Sequence, residues 1–367
     1  MFVRVDLSKE PVGLPPSLVE AIEADGGLWY AGDYYTDAAS VVSRAHEVEA
    51  LALRLDFRDL SLLEELPNMR YLDLRSDGRP ILDPLSGLKK LRALILHVSA
   101  LRGELDLQAF PQLRWLRASL GGKGGEALRQ SLSRGHPRLE HLSLTEVRAR
   151  RLDELVGGLP KLRHLRVHFA DHLRTLGDLG PIAETLRGLE LDLTGIRSLD
   201  GIQVLQKLES FRLLGGKVTD LEPLAALPSL RYTELDTGIG IASIGPLRNH
   251  PALRMLELSL VRDGDLSPLE TMPELVAVAR GSRLVGEPRF PDLEKLPRDH
   301  PFRQEFRRAV YGWCTSCQSG FSPTPSGTKS IPSGVLSRFG PLPGSRRWPY
   351  CQTIRRCLGS MITTRSL

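Results

Sequence analysis

Apolar positions through the middle of this chain fall at fixed offsets, with polar residues between them. Leu205-Gln-Lys-Leu-Glu-Ser-Phe-Arg-Leu213 reads L-x-x-L-x-x-F-x-L and is followed by Asp220-Leu-Glu-Pro-Leu224. Leu227-Pro-Ser-Leu-Arg-Tyr-Thr-Glu-Leu235 repeats it, and Leu88-Lys-Lys-Leu-Arg-Ala-Leu-Ile-Leu96 is an earlier copy. The L-x-L alternation predicts a short strand with neighbouring side chains on opposite faces. In Tyr71-Leu-Asp-Leu-Arg75, Leu72 and Leu74 are expected inward, and Tyr71, Asp73 and Arg75 outward. The first position of L-x-x-L-x-L falls at Val48, Met69, Leu91, Leu113, Leu139, Leu162, Leu186, Leu208, Leu230, Leu253 and Leu275. The spacings, by subtraction, are 21, 22, 22, 26, 23, 24, 22, 22, 23 and 22.

Eleven in-phase copies at this period are the mark of leucine-rich repeats. From Val48 to Val278 the chain resembles that family. The Leu-x-Pro-Leu turns at 221–224 and 266–269, with the shorter Asp83-Pro84-Leu85, resemble its 22-residue, internalin-like and phosphatase-regulator-like subclass. The fold expected is an α/β repeat solenoid, a horseshoe of about eleven repeats with a parallel concave sheet. One copy cannot bury its leucines alone, so copies stack. Each buried leucine then contributes about 1.5–3 kcal/mol. Many repeats of the family carry Asn just after L-x-L; here the corresponding places hold Asp77, Ser99, Gly121, Val147, Ala170, Thr194, Gly216, Gly238 and Val261. An asparagine ladder is therefore not expected.

The outward residues of the strands are the candidate site. Copies three to six are aromatic and basic, with Trp115, Arg117, His141, His164, Arg166 and His168; copies seven to ten are mostly acidic, with Glu190, Asp192, Glu234, Asp236 and Glu257. Tyr71 and Tyr232 belong to the same face. Trp115, His141 and His164 share one column. Trp and Arg dominate interface hot spots, so a binding role is preferred over shielding of the Trp by its neighbours. Arg70, Arg92, Arg114, Arg163, Arg187, Arg231 and Arg254 form a row along one edge, interrupted by Glu140 and Glu209. It reads as a solvated, acid-paired rim before it reads as a docking strip. His141 and His164 lack an evident third metal ligand, so neither metal nor cofactor is expected. Ser143 beside His164 lacks a carboxylate to complete a triad, so the chain is read as a non-enzyme.

Composition adds limits. Residues 312–367 hold seven Lys/Arg and no Asp or Glu, leaving 42 basic against 44 acidic residues, a net of −2, for the remainder. A near-neutral body argues against nucleic acid as partner. Only nine of 49 basic residues are Lys, which points to GC-rich coding and a bacterial source. The N-terminus lacks the apolar segment of a signal peptide, and no run approaches the roughly 20 apolar residues of a membrane span. A cytoplasmic monomer without membrane contact is expected. Residues 1–47 read as an N-terminal cap, 48–288 as the solenoid, 289–311 as a C-terminal cap, and 312–367 as a disordered basic tail rich in Ser, Pro and Gly. Cys314, Cys317, Cys351 and Cys357 all lie in that tail, and their wide spacing disfavours zinc. Gly121-Gly-Lys-Gly-Gly125 lacks the spacing of a phosphate loop and reads as a flexible insertion. The function expected is a scaffold that binds a partner protein through the concave face. The alternative is a substrate-recognition domain for an enzyme whose activity lies in a partner or the tail.

Overall fold

The computed structural model describes residues 3–4, 29–32, 46, 49–54, 60–76, 80–98, 102–103, 105–275 and 277–280. The expected C-terminal cap, the tail and its cysteines lie outside them, as does most of the expected N-terminal cap.

Each of the eleven predicted first positions is followed by a strand. These are β3 (Ala50–Arg54), β4 (Tyr71–Ser76), β5 (Ala93–Val98), β6 (Trp115–Ser119), β7 (His141–Thr145), β8 (His164–Ala170), β9 (Gly188–Thr194), β10 (Ser210–Gly215), β11 (Tyr232–Asp236), β12 (Met255–Leu258) and β13 (Ala277–Arg280). Two more precede them, β1 (Val3–Arg4) and β2 (Trp29–Gly32). All lie in one sheet in chain order. β2 runs parallel to β3, and β1 is antiparallel to β2. From β2 onward every pair is parallel, as stacked repeats require. The chain is a leucine-rich repeat horseshoe solenoid.

The inward alternation holds: Leu72, Leu74, Leu94, Leu116, Leu142, Leu165, Leu189, Leu213 and Leu235 are all buried in one continuous core. The return segments are short 3₁₀ turns, such as Asp83–Gly87 and Ser267–Thr271, and brief helical turns. Proline stands in the first turn of both 3₁₀ segments, where its missing N–H has no partner to lose. At the places where an asparagine ladder would run, Val147, Ala170 and Val261 are buried apolar residues. Backbone bonds extend the pairing beyond the strands there, including Glu146 N–H to His168 O (3.1 Å) and Lys217 N–H to Ile196 O (2.7 Å).

One expectation fails in the body. The glycine run at 121–125 is not a flexible insertion: helix α1 spans Gly122–Ser133. Leu128 and Leu132, one turn apart, are fully buried and hold it against the core. A side chain on Gly125 would overlap the backbone of Leu120, so glycine permits the close approach that brings those leucines home.

Candidate functional site

Three columns of outward side chains run across the sheet. In the first, Trp115 pairs with His141 and His141 with His164 in strict register. Strands lie about 4.8 Å apart, so flat side chains in one column meet face to face. The Trp115 and His141 rings stack at 3.4 Å and 9°, and His141 and His164 at 4.6 Å and 14°. The Trp therefore has a packing role that was not legible from its column alone. Burial is the first cause of a His141 pKa well below that of a free imidazole, followed by the charges of His164 and Arg163. Burial likewise lowers His164 to about 4, with Arg163 and Arg187 adding to it. Both rings are neutral near pH 7. Nδ1 of His141 has no hydrogen-bond partner among the described residues. Tyr71 and Tyr232, in the same column, are nearly closed over by their neighbours.

The second column carries the charges. Arg212 stands between Glu190 and Glu234 on the adjoining strands. Its Nε bonds Glu234 Oε2 at 2.7 Å and its Nη1 bonds Glu190 Oε1. Glu190 also faces Arg166, with Nε to Oε1 at 3.4 Å. These outward side chains are not solvated: exposure is 4 % for Arg212, 2 % for Glu190, 5 % for Glu234 and 6 % for Arg166. The acidic half expected from the sequence is thus largely neutralised from within, because each carboxylate lies one strand spacing from a guanidinium. Glu257 is half-buried next to Glu234. Ser143 pairs with Arg166, while the partner of His164 is His141. In the third column the His168 Nδ1–Asp192 Oδ2 distance is 2.5 Å. Asp236 accepts the backbone N–H of Gly238 at 3.3 Å. Among the described residues no group of three His, Cys, Asp or Glu is placed to hold a metal ion.

Solvent reaches this face unevenly. On β9, β10 and β11 the outward residues are buried, except Asp236. On β6 to β8, Trp115, Arg117, His141, Ser143, Thr145, His164 and His168 all keep partial exposure. The open patch is therefore the aromatic one, with Arg117 beside it.

The two edges of the face differ. At the strand starts, Arg70–Glu49 (3.6 Å), Arg114–Glu140 (3.9 Å) and Arg187–Glu209 (3.7 Å) make the acid-paired rim that was expected. Arg163 is exposed, and its side chain makes neither ion pair nor hydrogen bond among the described residues. At the strand ends, Glu146, Phe169 and Leu193 have φ of 56°, 52° and 49°; in β10 the register shifts after Leu214, and Gly215, with φ 78°, pairs with Thr194. A non-glycine residue there costs about 1–2 kcal/mol. Phe169 is nonetheless 51 % exposed, its ring set edge-on against His168 at 4.0 Å. Sequence reasoning missed Phe169.

No protein-family model matches the chain. It is 29% identical over 155 residues to human leucine-rich repeat-containing protein 56, a match covering 41% of this chain and 24% of that protein. Among solved structures, an internalin (inlF) from Listeria monocytogenes matches with a TM-score of 0.42 and 21% identity, over 68% of each chain. A TLR13–ssRNA13 complex matches with a TM-score of 0.48 and 18% identity, over 67% of this chain and 42% of that one. The parallel ladder itself, rather than these scores, identifies the solenoid. Among the described residues no helix is long and apolar enough to cross a membrane.

Proposed function

We propose that the chain is a scaffold of the 22-residue, internalin-like repeat type that binds a partner protein through its concave face. The observation that carries this reading is the solvent-accessible patch on β6 to β8, centred on Trp115, His141 and His164, in a sheet whose neighbouring strands β9 to β11 are closed over. An aromatic surface that a partner can desolvate, beside Arg117, is the composition of an interface hot spot. The compensated charges of Arg166, Glu190, Arg212 and Glu234, with the contact between His168 and Asp192, give the surroundings a fixed pattern that favours a complementary partner. Asp236, Glu257, Tyr71 and Tyr232 complete the face. Residues 1–47 and 289–311 serve as end caps in this reading, and the protein acts as a cytoplasmic monomer.

The test begins with a pull-down using the full chain as bait, followed by binding measurements on the recovered partner. Trp115→Ala is expected to weaken binding by about 2 kcal/mol, roughly thirtyfold. It also removes the stack on His141, so a stability loss of about 1 kcal/mol accompanies it. Trp115→Phe keeps a ring in the column and separates the two effects. Normal binding by Trp115→Ala, with binding abolished on removal of residues 1–47 or 312–367, defeats the concave-face reading.

A further inference from the structure

Among the described residues, β8 carries an exposed charge at its start and an exposed aromatic ring near its end. Arg163, at its start, is an exposed guanidinium without an ion pair or hydrogen bond among the described residues. Its charge is felt across the stack, since it lowers the pKa of both His141 and His164. Phe169, near its end, is an exposed aromatic ring on a left-handed backbone that suits glycine better. Between them the outward groups turn toward neighbouring strands: His164 stacks on His141, Arg166 faces Glu190 and His168 faces Asp192. Six residue steps at 3.3 Å separate the two ends by about 20 Å.

We propose that β8 is a two-ended docking site for an extended peptide segment of the partner protein, with an Asp or Glu on Arg163 and an apolar or aromatic side chain on Phe169. The segment lies along β8, so its two anchors are about five or six residues apart. This rests on the concave-face reading and names the chemistry of what that face takes. A peptide suits the site better than a nucleic-acid strand. Glu140 and Glu209 interrupt the arginine edge on either side of Arg163 and Arg187. A regularly charged backbone would meet both carboxylates, whereas a peptide can place one acid and leave the rest neutral.

The experiment selects random dodecapeptides displayed on phage against the full chain. Recovered peptides are then measured against the wild type, Arg163→Glu and Phe169→Gly, at low and high salt. The proposal expects enriched peptides with an acid and an apolar residue five or six positions apart. Each variant should weaken them about tenfold, and salt should weaken them only where Arg163 is intact. Phe169→Gly should melt no lower than the wild type, because glycine adopts the left-handed backbone of this position without strain. That result separates a binding residue from a packing one. The proposal is overturned if no peptide is enriched, if enriched peptides lack either anchor, if both variants bind as the wild type, or if single-stranded oligodeoxythymidine binds where peptides do not. Peptides that respond to Trp115→Ala but to neither β8 variant would leave the concave face standing and remove only the two-ended site.

Discussion

Arg212→Asp is expected to destabilise the solenoid about as severely as Leu213→Asp, although the two side chains leave the strand on opposite faces. Leu213 is fully buried in the stacked core, and a carboxylate there lacks any partner, at a cost of several kcal/mol. Arg212 points the other way, yet it is almost equally sealed and holds Glu190 and Glu234 apart. Aspartate in its place removes the bridging charge and sets three carboxylates on adjoining strands. Breaking a buried ion pair from one side costs about 3–5 kcal/mol. At roughly 2–4 °C per kcal/mol for a body of this size, the melting temperature should fall by about 6–20 °C. The matching control replaces Arg166, Glu190, Arg212 and Glu234 together by Met or Leu. Removing the four paired charges together strands none of the four, and Glu257 and Arg117 keep partial access to water, so that variant should melt near the wild type or above it. Thermal unfolding of the three proteins decides the matter. A tolerated Arg212→Asp would mean that water reaches this column freely and that the ladder contributes nothing.

The strand phase was legible because L-x-L alternation is local: a leucine two residues from another leucine needs no distant information to point inward. Eleven predicted positions accordingly precede β3 to β13. Whether an outward residue is wet is not local. The neighbours of Arg212 come from positions 22 residues before and after it. Its burial follows from the size of those neighbours at one strand spacing, not from its own polarity. The sign pattern in the column, Arg166, Glu190, Arg212, Glu234, was nevertheless readable once the copies were aligned, and opposite charges one strand apart already imply pairing. The helix at Gly122–Ser133 was misread for the opposite reason. A local signal, four glycines in five residues, was outweighed by Leu128 and Leu132 reaching the core. The left-handed backbone of Phe169 was hidden because the residue types at that turn vary from copy to copy, with Glu146 and Leu193 in the corresponding places.

Mild acid should loosen the same protein through the imidazole stack. His164 titrates at about 4 in the folded chain, against 6.5 for a free imidazole, and His141 is shifted in the same direction. The folded state refuses a proton that the unfolded chain accepts between those values. The stability tied to this refusal is therefore fully present above about pH 6.5 and drains away as the pH falls toward about 4. At about 1.4 kcal/mol per pKa unit, His164 alone contributes no more than about 3.5 kcal/mol, and less where water screens it. His136 and His250 are also held below the usual imidazole range, burial being the first cause for each. They add to the same slope, and a comparison must isolate the stack from them. The double variant His141→Phe, His164→Phe does so: it keeps flat rings beside Trp115 and removes the two titrating nitrogen sets. Urea unfolding at pH 7 and pH 4.5 is the measurement. The wild type should lose substantially more stability between the two than the double variant, whose remaining loss reports His136, His250 and the carboxylates. Equal losses in the two proteins would show that both imidazoles protonate freely in the folded state, and that their partial burial does not hold them neutral.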